Sequence, residues 1–183
     1  MPSAALAHTG AGAADGIVHG LMHPVTGLDH VLAMVAVGVL AAFVGGRALW
    51  LLPASFVAAA ALGGALGLRG VPVPFVEFGI SASVVLLGLA ICLQTRLPLG
   101  WMAGLVALFG LYHGYAHGAE MPADASGLAY GLGFLAATAA LHVAGIGLGL
   151  GINQLASRPA TRFAQAGGAA IALAGVALLV RGL

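Results

Sequence analysis

The chain has 183 residues, 61% of them hydrophobic and only 6% charged, and its mean hydropathy is +1.09. A soluble domain carries roughly a quarter charged residues, so this composition excludes one and identifies an integral membrane protein. Six arginines, no lysine and five acids give a formal charge of +1, which leaves no basic face for nucleic acid. The single cysteine, Cys92, lies in an apolar run, excludes an intramolecular disulfide and reads as a small buried hydrophobe.

Residues 1–7, MPSAALA, end in the small-x-small pattern of a signal-peptidase site without a charged start or a long apolar stretch. They read as the remnant of a signal peptide, with residues 8–183 forming one transmembrane domain. Cleavage after Ala7 would leave His8 as the first residue, where its amine and imidazole could hold a divalent metal; the competing reading is a solvated tail without a role. Residues 9–18, TGAGAADGIV, form a small-residue lead-in expected at the outer surface, and His19 follows.

The stretch from residue 23 to 38, HPVTGLDHVLAMVAVG, places ionisable groups at the start of an apolar helix. Pro24 suits the first position of a helix, where its missing N–H is not needed, so a helix is expected from about residue 24 into the low forties. Asp29 and His30 then fall in its second turn. His23 and His30, seven residues apart, look the same way if helical geometry reaches back to His23. Met34 continues that face and reads as ordinary packing.

With about 20 apolar residues needed for each crossing, the expected spans are 25–44, 49–68, 76–94, 98–117, 127–149 and 164–181, an all-α, six-helix membrane bundle. Thirty glycines point to close helix approach through small-residue seams. Four-residue spacings occur at Gly63 and Gly67, Gly100 and Gly104, Gly110, Gly114 and Gly118, and Gly145 and Gly149. Counting loops alternately, Arg47, Arg96, Arg158 and Arg162 fall inside and Arg69 and Arg181 outside when the amino terminus is outside. Asp15, Glu77, Glu120 and Asp124 then lie near the outer face. For a Gram-negative bacterial chain both termini are periplasmic and the protein sits in the inner membrane.

A second cluster, GLYHGYAHGAE at residues 110–120, closes the fourth span. His113 and His117 stand at i and i+4 with Glu120 three residues on, along one helix face if the helix continues through Gly118. Nitrogen and oxygen donors at this spacing suit nickel, cobalt, zinc or iron. Alternating topology brings His23, Asp29 and His30 to the same side as His113, His117 and Glu120, with Glu77 at similar depth. A carboxylate at mid-bilayer costs about 2.5–3.5 kcal/mol on insertion scales, so Asp29 is expected to face a partner or a water-filled vestibule. A shared cation would serve, and so would a plain hydrogen bond to histidine. His142 stands apart in the middle or inner half of span five, either as a lower station on a path or as a histidine bonded to a carbonyl. Trp50, Trp101, Tyr112 and Tyr115 lie near span ends, as aromatic belts do.

Two motifs carry a resemblance over nearly the whole length: a His, five residues, Asp-His pattern in HPVTGLDH, and an HGxAHGxE pattern from His113 to Glu120. The chain resembles the HupE/UreJ family of membrane proteins associated with hydrogenase and urease nickel supply, with Tyr112 where that family is expected to have Phe. The resemblance implies a nickel permease working by facilitated diffusion, with His23, Asp29, His30, His113, His117 and Glu120 at the functional positions and Glu77 and His142 similarly placed. It implies no prosthetic group and no catalysis: the partners are Ni2+ as cargo, with Co2+ or Zn2+ as alternatives, the lipid bilayer, and a supply line to nickel-enzyme maturation. The competing reading is an intramembrane metal-dependent hydrolase using the same cluster. A two-histidine haem protein would need facing histidines at equal depth. No nucleotide-binding glycine motif is present, so this chain does not hydrolyse ATP by itself. Histidines ligate only when neutral, so uptake is expected to fail as external pH drops below the imidazole range.

Overall fold

A computed structural model describes residues 11–121, 126–155 and 158–181. Residues 1–7, His8 and Asp124 lie outside them. Among the described residues there are seven helices and no strand: α1 (Ala11–Thr26), α2 (Leu28–Val44), α3 (Ala48–Leu68), α4 (Val76–Cys92), α5 (Leu99–Ala119), α6 (Gly127–Gln154) and α7 (Arg158–Arg181). The protein is an all-helical, multi-pass membrane protein. By length and hydropathy, three stretches can each cross a bilayer alone, Ala48–Leu68, Gly127–Gln154 and Thr161–Arg181, and a bent pair, Gly16–Thr26 with Leu28–Val44, makes a fourth.

The bent pair corrects the expected first span. The lead-in is helical: residues 11–26 form α1, Pro24 sits inside its last turn, and the chain breaks at Gly27 with a bend of 83°. Pro24 has no N–H for the Gly20 carbonyl four residues back, which weakens the last turn of α1 just before the break. What holds α1 is contact with α6. A Cβ on Gly20 would overlap the Tyr130 carbonyl, and one on Gly133 would overlap the Ile17 carbonyl, so the two backbones meet as small-residue seams allow. Asp29 and His30 therefore lie in the first turn of α2, not the second, and His23 belongs to a different helix.

Glycine seams organise the remaining pairs. Gly63 and Gly67 on α3 meet the α5 backbone at Leu111 and Tyr115, while Gly110, Gly114 and Gly118 on α5 meet Phe56, Ala60 and Gly64; the rising register in both means the two helices run parallel. Gly145 and Gly149 join α6 to Val35 and Val39 on α2, again in parallel. Gly88 and Gly168 lock α4 against α7 in antiparallel sense. A Cβ on Gly100 or Gly104 would meet nothing within 4 Å among the described residues, so no seam forms there against a described helix.

The core forms where α2 lies against α3, α4 and α6. Ala33, Met34, Val37, Leu52, Phe56 and Val84 are all fully buried, and Met34 is a packing residue as its spacing suggests. Cys92, the last residue of α4, is half-buried rather than buried. Trp50 and Trp101 stand exposed at the starts of α3 and α5, a position that suits an interface belt.

Candidate metal centre

The break at Gly27 builds the site. It ends α1 just after His23 and starts α2 just before Asp29, so both ionisable stretches reach the level where α5 stops. Asp29 occupies the first turn of α2, where the helix dipole favours a carboxylate. Its Oδ1 accepts from the His30 backbone N–H at 2.8 Å and lies 2.8 Å from His30 Nδ1. Gly27 makes room for this fold-back, since a Cβ there would stand 2.8 Å from Asp29 Oδ1 and 3.0 Å from His30 Nδ1.

On the facing wall α5 does continue through Gly118, to Ala119, and Glu120 caps it. His113 and His117 share its inner face and are 0% and 3% exposed. His23 Nε2 lies 3.3 Å from Glu120 Oε2. One ligand atom from each of His23, His117 and Glu120 falls within 4.8 Å of the others. These three residues, with Asp29, His30 and Glu77, line one cavity of about 250 Å3. Six of the eight residues singled out in the sequence thus border a single vestibule at one end of the bundle. Glu77 enters it from the first turn of α4. Both ion-pair contacts among the described residues, His23–Glu120 and Asp29–His30, belong to it.

Below the vestibule the imidazoles continue inward in contact. The His117 ring centroid is 4.7 Å from that of His23 and 4.1 Å from that of His30, and His30 is 4.5 Å from His113. His142 is buried deeper, roughly 22 Å along α6 from its start at 1.5 Å per residue. It does not border the vestibule. Phe56 spans the gap, with ring centroids 5.6 Å from His113 and 5.0 Å from His142.

Several buried polar atoms along this column have no hydrogen-bond partner among the described residues: His30 Nε2, His113 Nδ1, both nitrogens of His117 and of His142, and Thr138 Oγ1. Burying a polar atom unpaired costs about 1–3 kcal/mol, so a run of them along one path marks a place built to engage something other than the protein itself.

Sequence reasoning missed Ser83, Phe56 and Thr138. Ser83 Oγ lies 2.8 Å from His113 Nε2, and its only signal was a hydroxyl inside an apolar span. Thr138 precedes His142 by four residues and so shares its helix face, a legible clue. Phe56 carried none, because an aromatic in an apolar helix reads as core. At the opposite end of the bundle a second cavity of about 310 Å3 is bordered by Gln94, Thr95, Arg96 and Asn153.

A protein-family profile described as HupE / UreJ protein matches residues 1–178. Protein HupE of Rhizobium leguminosarum bv. viciae is 45% identical over 187 residues, covering 98% of this chain and 92% of that protein. No solved structure matches the chain. A profile spanning the chain almost end to end and this degree of identity carry the same conclusion: the chain belongs to the HupE/UreJ family.

Proposed function

We propose that this chain is a nickel permease that takes Ni2+ from the periplasm to the cytoplasm by facilitated diffusion. In this reading α1 and α2 together make the first of six spans, the amino terminus and the vestibule face the periplasm, and the bacterial inner membrane is the site of action. The helices together make one transmembrane domain. The observation that carries the reading is the unbroken run of contacting imidazoles from His23 through His117 and His30 to His113, beginning in a carboxylate-lined cavity.

The chemistry follows from the donors. His23, His117 and Glu120 are close enough for one cation to draw them to bonds of about 2.0–2.2 Å with small side-chain shifts. The carboxylates of Glu120, Glu77 and Asp29 attract the hydrated ion, and the imidazoles replace part of its water. An ion held this way must also leave, and neutral nitrogen donors in sequence let it pass from His30 to His113 and on toward His142. Co2+ or Zn2+ would fit the same donors, since affinity order alone does not set selectivity. No prosthetic group is needed, the protein is not an enzyme, and its cargo would supply nickel-enzyme maturation. The metal-dependent hydrolase alternative gains no observation of its own.

The test is nickel accumulation by cells expressing the full chain, compared with the His117→Ala variant at matched membrane levels. Accumulation that requires His117 supports the reading. Equal accumulation in cells with the vector alone, together with a metal that survives chelator washing of the purified protein, would overturn it in favour of the hydrolase.

A further inference from the structure

Within the permease reading, we propose that Ser83 is a positioning residue that fixes the tautomer of His113, so that Nε2 carries the proton and Nδ1 is presented as an open donor to the passing cation. The Ser83 hydroxyl has one hydrogen and two polar neighbours. Ser83 Oγ lies 2.6 Å from the Ile80 carbonyl oxygen and 2.8 Å from His113 Nε2. A carbonyl has no hydrogen to give, so two oxygens at 2.6 Å require the serine proton between them. Ser83 therefore donates to Ile80 and has only lone pairs left for His113. The contact with Nε2 is a hydrogen bond only if Nε2–H donates it. A neutral imidazole carries one N–H, so Nδ1 is left with its lone pair.

That Nδ1 is fully buried and has no partner among the described residues. The neighbouring histidine is prepared in the same way by a different group. Asp29 Oδ1 accepts from His30 Nδ1–H at 2.8 Å, which leaves His30 Nε2 as a lone pair, also buried and unpartnered. The two rings stand edge to face with centroids 4.5 Å apart. Below the carboxylate-lined vestibule the chain thus offers two adjacent nitrogens whose proton positions are set from outside, by a carboxylate on α2 and a hydroxyl on α4. Metal-binding histidines are oriented in this manner by the acceptor on their other nitrogen, and loss of that acceptor typically weakens binding 10–100-fold.

The test is done on the purified full-length chain in lipid nanodiscs, metal-free, with nitrogen-labelled histidine at a pH where imidazoles are neutral. The His113 signals are assigned by their loss in His113→Gln. The proposal predicts an Nε2-protonated His113 in the wild type, a mixture of tautomers in Ser83→Ala, and the wild-type pattern in Ser83→Thr, which keeps the hydroxyl. An Nδ1-protonated His113, or a tautomer unmoved in Ser83→Ala, would overturn it. Nickel affinity of the same samples, measured by equilibrium dialysis, should fall about tenfold in Ser83→Ala and return in Ser83→Thr. Equal affinity in all three would also overturn it. Neither readout involves transport, so a failed permease reading and a failed role for Ser83 give different results.

Discussion

His23 Nε2 and Glu120 Oε2 stand 3.3 Å apart although 97 residues separate them in the chain. The pair lies in the lining of the vestibule and joins the end of α1 to the end of α5. His23 is half-buried and Glu120 61% exposed, and such exposed pairs add only about 0.2–1 kcal/mol to stability. Its value lies in bringing a nitrogen and a carboxylate to His117. His23→Ala and Glu120→Gln should therefore each weaken nickel binding markedly while moving the unfolding temperature little, and the double variant should lose less than the sum of the two single losses, since both act on one site. Dialysis with a double-mutant cycle checks this; fully additive losses would separate the two residues.

Gly27→Ala tests the fold-back of Asp29. The backbone at position 27 is extended, with φ −88° and ψ 116°, so alanine is tolerated there. The added Cβ, however, meets the Asp29 and His30 side chains at 2.8 and 3.0 Å and displaces the carboxylate from the imidazole. Nickel affinity should drop about 10–100-fold with helicity and thermal stability retained. An unchanged affinity would mean that the Asp29–His30 contact does not serve the metal.

Gly114→Ala and Gly104→Ala separate seam glycines from idle ones. A Cβ at Gly114 would overlap the Ala60 carbonyl, rigid backbone that cannot yield, whereas Gly104 faces open space. Overpacking costs about 1–3 kcal/mol or more, so Gly114→Ala should lower the unfolding temperature in detergent and disturb His113 and His117 on the same helix. Gly104→Ala should be neutral or slightly stabilising, since alanine is the better helix former by about 1 kcal/mol.

These outcomes bear on how much of the molecule was legible in its sequence. The two motifs and their meeting at one end of the bundle followed from spacing and alternation; the glycine spacings marked faces of close approach but not that α3 would meet α5 or α2 meet α6. The break at Gly27 did not follow either. Proline at a helix start is a local preference, and the lead-in looked too small to bury anything; its helix is held by backbone contact with Tyr130 and Phe134 on α6, more than a hundred residues away. Ser83 was invisible for the same reason, because its meaning depends on His113, 30 residues distant. Gly100 and Gly104 show the converse failure, a pattern that meets no described helix.

Nickel affinity should fall as pH is lowered from about 8 to about 5, because protons compete for the same imidazole lone pairs. The sign is fixed by the donors: a protonated histidine offers no lone pair and adds repulsive charge. Binding isotherms across this range check it, and an affinity that rises toward pH 5 would rule out imidazole ligation.

The central claim, passive conduction along the histidine column, is tested most directly by nickel influx into sealed liposomes containing the purified chain, without ATP or a proton gradient, for wild type and His30→Ala. Passive conduction gives influx down the nickel gradient in the wild type and its loss in His30→Ala. Nickel bound by the wild type with no influx, or influx undiminished in the variant, would contradict it.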